Sequence, residues 1–208
     1  TGLIVGLIAG GVLLIGAAVA VWLLFLSGPG INGTWACEDR GWVLQIENDA
    51  LTEYSPAGVD TARYSFAGGN GEAKLQGGSV RFTVKGDKMS LTDEETGDKF
   101  LFTRKDGDLD IEEAVLEGVS GLWSSEERGE VIELDDGAIT VYTASGDYSG
   151  SYSYDIGKGS GMVALEGDEF SISAGWESLS VETVGVFERA DKSLDVAAFL
   201  GQFANPLT

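Results

Sequence analysis

The sequence predicts a mainly β protein, in which two tandem small antiparallel β-barrel or sandwich units are preceded by one transmembrane α-helix. Three observations support this fold class: an apolar run without charge opens the chain, a repeat follows at a spacing of 88 residues, and apolar residues alternate within each repeat. The expected segments are a transmembrane helix over 1–26, a linker over 27–32, and two β units over 33–118 and 119–208, each ending in a short helical tail.

The first predicted element is the membrane helix. Residues 1–26 contain no charged side chain. About 24 apolar residues at about 1.5 Å each cover about 36 Å, which exceeds a hydrocarbon core of about 30 Å. A secretory signal has an apolar run of only about 7–15 residues, so a membrane helix is favoured over a cleaved signal or a buried core helix.

Flanking charge predicts the orientation of this helix. The first basic residue is Arg40, far beyond Leu26, whereas cytoplasmic flanks are rich in Lys and Arg near the membrane. Residues 27–208 are therefore expected outside the cytoplasm. The single cysteine, Cys37, cannot form a disulfide within the chain, which fits a cell surface of Gram-positive type.

Glycines predict an association face on the same helix. Gly2, Gly6 and Gly10 are spaced by four and form two overlapping GxxxG patterns. Small residues let helix backbones approach closely, so the pattern suggests a helix-mediated homodimer. The alternative is that glycine is simply common in membrane helices.

The two β units are recognised by their repeat. A shift of 88 residues aligns 12 identical residues over 34 gapless positions. The match resumes later, where Phe102-Thr-Arg104 pairs with Phe187-Glu-Arg189. Alternating apolar residues interrupted by Gly, Asn and Asp predict six to eight short antiparallel strands per unit. Short helices are predicted near 111–116 and 194–200, where they would close one end of each barrel.

A family resemblance rests on the ends of each unit. Gly33-Thr-Trp35 and Gly121-Leu-Trp123 open the units, and Arg104 and Arg189 end their last strands. This pattern resembles the lipocalin-like, or calycin-type, signature of tandem repeats in bacterial membrane-anchored surface proteins. The resemblance implies that each Trp plugs the closed end of a barrel and that the Arg packs across its ring. Each unit is about half as long as a single-ligand barrel, which implies an interior filled by side chains.

The composition argues against several kinds of chemistry. The chain has no His and one Cys, so the usual general base, the Ser-His-Asp triad and Cys- or His-rich metal sites are excluded. The net charge of −21 repels nucleic acid. The sequence therefore predicts a protein that is not an enzyme, with no catalytic residue, no cofactor and no metal ligand.

Two acidic patterns are weak site candidates. The acidic residues of the segment Asp106–Glu117 fall at calcium-loop spacing, but Ile111 stands where the sharp turn needs Gly, so a solvated linker is favoured. The pairs Glu38-Asp39 and Glu126-Glu127 could suggest a carboxylate-based hydrolase. Adjacent strand residues point to opposite faces, so ion pairs at a hairpin tip are favoured instead.

Aromatic residues are the remaining candidates for a ligand-binding face, although cross-strand packing is favoured. They are Trp42, Tyr54, Tyr142, Tyr148, Tyr152, Tyr154 and Trp176.

The expected function is that of a membrane-anchored, extracytoplasmic and non-enzymatic interaction or sensing module, with an unidentified protein or small molecule as its partner. The alternatives are a binder of a small apolar ligand within the barrel and, less favoured, a carboxylate-based hydrolase. The sequence identifies no ligand-binding residue.

Overall fold

The computed structural model describes residues 30–204. The predicted membrane helix over 1–26, with its glycines at 2, 6 and 10, lies outside the described residues. Within 30–204, every helix is too short or too polar to cross a membrane.

The first unit is a closed barrel of eight antiparallel strands. Each strand pairs with the next, and the last returns to the first. The strands are β1 (Gly33–Cys37), β2 (Trp42–Glu47), β3 (Ala50–Ser55), β4 (Gly58–Ala67), β5 (Asn70–Leu75), β6 (Gly78–Lys85), β7 (Lys88–Asp93) and β8 (Lys99–Lys105). A 3₁₀ turn, Glu38–Arg40, joins β1 to β2.

The second unit repeats this topology. Its strands are β9 (Gly121–Ser125), β10 (Glu130–Asp135), β11 (Ala138–Thr143), β12 (Gly146–Asp155), β13 (Ser160–Leu165), β14 (Asp168–Ala174), β15 (Ser178–Val181) and β16 (Gly185–Arg189). Helix α1 (Ile111–Val119) links the units, and α2 (Val196–Gly201) follows the second. The prediction of a mainly β chain with two tandem antiparallel units is confirmed, and the choice between barrel and sandwich is settled as a closed barrel.

Alternation and tight turns explain why the sequence forms these barrels. Along β4, burial alternates at every residue over ten positions, as expected for a strand with one face inward. Asn48 and Asp136 have positive φ angles of 55° and 42° at the β2–β3 and β10–β11 turns. Asn and Asp tolerate this conformation, which suits short hairpins between twisted strands.

Large apolar side chains fill the interiors of both barrels. In the first barrel the fully buried residues include Trp35, Leu44, Phe82, Met89 and Phe102. In the second, a separate core surrounds Trp123 and Phe187. Small barrels close around their own side chains in this way.

Helix α1 lies elsewhere than expected. It packs on the outer surface of the first barrel, where Val115 contacts the outward-facing Ala36 and Val43, rather than closing a barrel end. The carboxylate of Asp110 caps the helix by accepting a hydrogen bond from the Glu113 amide at 3.1 Å. Gly118 and Gly41 bring two backbones together, because a β-carbon on either would overlap the other residue.

The two barrels are stacked end to end. Each has a closed end, where Trp35 or Trp123 lies, and an opposite end that we call the mouth. The mouth of the first barrel is bounded by the turns at 38–41, 56–57, 76–77 and 94–98. Turns 156–159 and 175–177, at the closed end of the second barrel, contact this mouth. We call this contact region the junction.

Candidate functional site

The structure brings together the Trp and Arg residues that the sequence singles out. The guanidinium carbon of Arg104 lies 4.2 Å from the centre of the Trp35 ring, and that of Arg189 lies 4.1 Å from the Trp123 ring. A guanidinium over an indole face contributes about 0.5–2 kcal/mol, depending on desolvation. Each pair covers the core at the closed end of its barrel.

Backbone carbonyls complete each pair in the same way. Arg104 donates hydrogen bonds to the carbonyls of Gly30 and Asn32, and Arg189 donates to those of Gly118 and Ser120. These acceptors are again 88 residues apart. The repeat therefore preserves a hydrogen-bonded arrangement as well as a residue pattern.

Arg189 has an additional role at the junction. Its Nε–H donates to the carbonyl of Trp176 at 3.2 Å, so the closed end of the second barrel holds the turn that carries Trp176. Burial, followed by the nearby charge of Arg40, lowers the pKa of Arg189 to about 10. The guanidinium therefore stays protonated at neutral pH.

Trp176 enters the mouth of the first barrel. Its ring centroid lies 3.8 Å from that of Trp42 and 4.9 Å from that of Phe100, which it meets edge to face. Trp42 also packs edge to face against Phe102, at 4.9 Å. An aromatic cluster thus joins the two barrels, with Trp176 contributed by the second.

Polar contacts surround this aromatic cluster. Arg40 in the first barrel forms an ion pair with Glu177 in the second. The Tyr154 hydroxyl donates to the carbonyl of Pro56 at 2.6 Å and accepts from the amide of Ala174 at 2.9 Å. Contacts on several sides of the mouth therefore fix how the second barrel meets the first.

Two carboxyl groups lie side by side inside the mouth. Glu53 on β3 pairs in register with Asp60 on β4, and both occupy inward positions. The Asp60 carboxylate accepts hydrogen bonds from the amides of Thr61 and Gln76. Glu53 is only 9% exposed, and no residue described by the structure gives its carboxyl a hydrogen bond of normal geometry.

The surroundings of Glu53 change its protonation. Burial, together with the negative charge of Asp60, raises the pKa of Glu53 to about 7, and the indole N–H of Trp42 partly opposes this shift. That N–H is itself fully buried and has no hydrogen-bond partner of regular geometry. The Trp42 N–H is therefore a buried polar group that is incompletely satisfied, which is costly, and Glu53 beside it lines the open cavity.

An open cavity of about 570 Å³ leads to Glu53. Its wall includes Asp60, Asp93, Lys158 and Trp176. Asp93 accepts hydrogen bonds from the amides of Glu95 and Thr96 at 2.7 and 3.1 Å. The Lys158 ammonium lies 2.8 Å from Asp155. Its ion pair is therefore with Asp155 and not with Glu53 or Asp60.

The second barrel lacks the same arrangement at its mouth. The residues 88 positions after Trp42, Glu53 and Asp60 are Glu130, Val141 and Tyr148. There Arg128 pairs with Glu130 at 2.7 Å and donates to the carbonyl of Val184 at 2.7 Å. The Glu53–Asp60 carboxyl pair is thus a feature of the first barrel, not of the repeat.

The acidic candidates from the sequence do not converge into a site. Glu38 forms an ion pair with Lys105 at the 3₁₀ turn. In the segment Asp106–Glu117, for which the sequence favours a solvated linker over a calcium loop, the chain is helical from Ile111 onward and Asp110 caps that helix. Across residues 30–204, no group of three or more acidic or cysteine side chains could hold a metal ion.

The aromatic candidates separate into different environments. Tyr54 packs on the outer surface beside α1, and Tyr152 and Tyr154 face the core of the second barrel. Tyr142 donates to Glu133 at 2.6 Å, and this hydrogen bond raises its pKa to about 12. Of the seven, Trp42 and Trp176 meet ring to ring at the junction, where the Tyr154 hydroxyl also donates to the carbonyl of Pro56.

Sequence reasoning missed Glu53 and Asp60. The alternation of the strands could have identified them. Glu53 lies on the same face of its strand as the buried Leu51, and Asp60 lies on the same face as Ala62 and Tyr64. A charged residue at an inward position of an alternating strand is unusual enough to mark a candidate site.

Comparison with models of known protein families finds none that matches this chain, and comparison with curated proteins finds no significant relative. Function is therefore inferred from the residues of the junction.

Proposed function

We propose that this chain is a membrane-anchored, non-enzymatic recognition protein that binds its ligand in the cavity at the junction. The observation that carries the proposal is Glu53, a buried carboxyl without a regular hydrogen-bond partner at the end of an open cavity of about 570 Å³. Small-molecule sites typically have volumes of about 300–1,000 Å³ and a few convergent polar groups. A ligand that supplies donors would offset the cost of burying this carboxyl.

The proposed likeness to lipocalin-like surface repeats is supported by two features. Both units close as eight-stranded barrels, and each carries a Trp–Arg pair at one end. An apolar ligand deep within a barrel is less well supported, because Trp35, Phe82 and Phe102 already occupy the interior of the first. The mouth is the favoured location.

A cavity-blocking variant tests the location of binding. Gly77 lines the cavity, and a β-carbon there meets no atom within 4 Å, so Gly77→Trp should fill the cavity without disturbing the fold. In a thermal-shift screen of small molecules against the full chain, compounds that raise the Tm of the parent should fail with Gly77→Trp. The matched control is Gly201→Trp, which also enters open space but lies in α2. Stabilisation that survives in Gly77→Trp would contradict the proposed location.

Membrane anchoring outside the cytoplasm has its own test. The uncharged run over 1–26 and the absence of a basic residue before Arg40 support it. The full chain should sediment with membranes, and protease added to intact cells should cleave its β units. A variant lacking 1–26 should not sediment. Recovery of the full chain in the soluble fraction would contradict anchoring.

A carboxylate-based hydrolase is the second candidate, and the Glu53–Asp60 pair favours it. Glycoside hydrolysis uses a pair of carboxyl groups, one of which has a raised pKa, as Glu53 has. Chromogenic glycosides test this candidate. Turnover by the parent chain that Glu53→Gln abolishes would support the hydrolase, and no turnover in either would leave recognition as the function.

A further inference from the structure

We infer that the ligand taken at the junction is an organic cation, whose ammonium or guanidinium group binds Glu53 and Asp60 while its carbon skeleton packs against Trp176. This inference rests on the proposed function and names the chemical class of its ligand.

The hydrogen bonds of the two carboxyl groups indicate a ligand that donates hydrogen bonds. The Asp60 carboxylate already accepts two backbone N–H bonds, whereas the Glu53 carboxyl has unused acceptor positions. An ammonium group supplies three donors and a guanidinium five. Hydrogen bonds between a cation and a carboxylate are about twice as strong as neutral ones, so such a ligand satisfies the buried oxygens better than an alcohol or an amide.

The charges around the cavity also favour a positively charged ligand. Asp60 and Asp93 face the cavity with Glu53, and the cation on its wall, Lys158, is paired with Asp155. Two neighbouring carboxylates repel each other when both are ionised. A bound cation removes that repulsion, whereas an anionic ligand would add to it.

Trp176 argues for an organic cation rather than a metal ion. Trp176 lines the cavity, and an indole face attracts both alkyl groups and cations. A metal ion would instead need several converging ligands. Within residues 30–204, no three or more acidic or cysteine side chains lie close enough together to hold one. The ligand expected is therefore a primary amine or guanidine with a short carbon chain.

The probe for this inference is 1,4-diaminobutane, titrated into the full chain with isotope labels and followed by NMR. We expect saturable shifts of the backbone amides of Glu53 and Asp60 and of the Trp176 indole N–H. The neutral analogue 1,4-butanediol should bind about tenfold more weakly or not at all. Calcium chloride provides the inorganic control and should not reproduce these shifts.

The pH dependence gives a second readout. A proton on Glu53 competes with the cation. The other charged groups that line this cavity are Asp60, Asp93 and Lys158, and the hydrogen bond to Asp155 raises the pKa of Lys158. With the pKa of Glu53 at about 7, affinity for the diamine should rise about tenfold between pH 6 and pH 8. An affinity that is independent of pH over this range would contradict the role of Glu53.

Matched variants separate specific binding from attraction to an acidic protein. Glu53→Gln should weaken diamine binding about tenfold or more, while Glu169→Gln, an exposed acid on β14, should leave it unchanged. Because Glu53 is buried, retention of the parent spectrum outside the mouth checks that the first variant folds. Gly77→Trp blocks the same cavity from an exposed turn and should also abolish binding.

The outcomes distinguish the ligand class from the proposed function. Equal binding of diamine and diol, or unchanged diamine binding in Glu53→Gln, would overturn the cation inference. If another compound binds the parent but not Gly77→Trp, the junction remains the recognition site. If no ligand of the parent is lost in Gly77→Trp, the proposed location fails as well.

Discussion

Glu53 occupies an inward position of β3, where the alternation of the strand predicts an apolar side chain. Leu51, two residues earlier on the same face, is fully buried in the core. Burying a carboxyl disfavours its ionised form, so the folded protein holds the Glu53 proton more tightly than the unfolded chain does. The residue therefore links the stability of the first barrel to pH.

The sign of this linkage can be worked out. The pKa of Glu53 rises from 4.5 in the unfolded chain to about 7 in the folded protein. The proton-linked stability is thus fully present below about pH 4.5 and is lost as the pH rises through about 7, a change of about 3 kcal/mol in the free energy of unfolding.

Glu53→Gln, which cannot ionise, should remove this dependence. In urea unfolding at pH 5 and pH 8, the parent should lose about 2.5 kcal/mol relative to the variant. The comparison cancels the other titrating groups, which both proteins share. Parallel pH profiles for the two proteins would contradict a buried carboxyl at this position.

At the scale of elements, the turns of the second barrel determine how it meets the first. Gly159, in the turn between β12 and β13, has a φ of 64°, and a β-carbon there would overlap the carbonyl of Ala57. This turn can approach the first barrel closely because the residue is glycine.

Gly159→Ala tests that approach against a control with the same backbone strain. Gly86 has a φ of 61° and open space around it, so both alanine variants bear the positive-φ cost of about 1–2 kcal/mol. Gly159→Ala should be destabilised by about 1–3 kcal/mol more, as expected for overpacking at a close contact, and should shift the Trp176 indole N–H resonance in NMR spectra. Equal destabilisation and an unmoved Trp176 would show that the turns do not touch.

Local patterns were sufficient to predict the strands but not their assembly. Alternation and glycine-rich turns indicate antiparallel strands, because these signals come from residues close in sequence. The match at a spacing of 88 residues marks where each unit begins and ends. The outer position of α1 depends on outward residues such as Val43 and on the Gly41–Gly118 contact. The contact between Trp42 and Trp176 joins residues far apart in the chain, and no periodicity encodes it.

For the whole molecule, the repeat produces two units with different roles. Each carries a Trp–Arg pair, but only Arg189 also holds the turn that bears Trp176, and only the first mouth contains the Glu53–Asp60 pair. The second barrel therefore forms part of the wall of a cavity in the first. Tandem units of the same fold thus line one cavity together.

The junction is the basis of this account, since the cavity, the buried carboxyl and the proposed ligand all lie there. A double-mutant cycle between Trp42→Ala and Trp176→Ala, measured by urea unfolding, tests it most directly. Rings whose centroids are 3.8 Å apart should show a coupling free energy of about 1 kcal/mol. Trp176→Ala paired with an alanine variant of Lys88, which is exposed at the opposite end of the first barrel, should show none. A coupling of zero between Trp42 and Trp176 would contradict the junction and the binding site built on it.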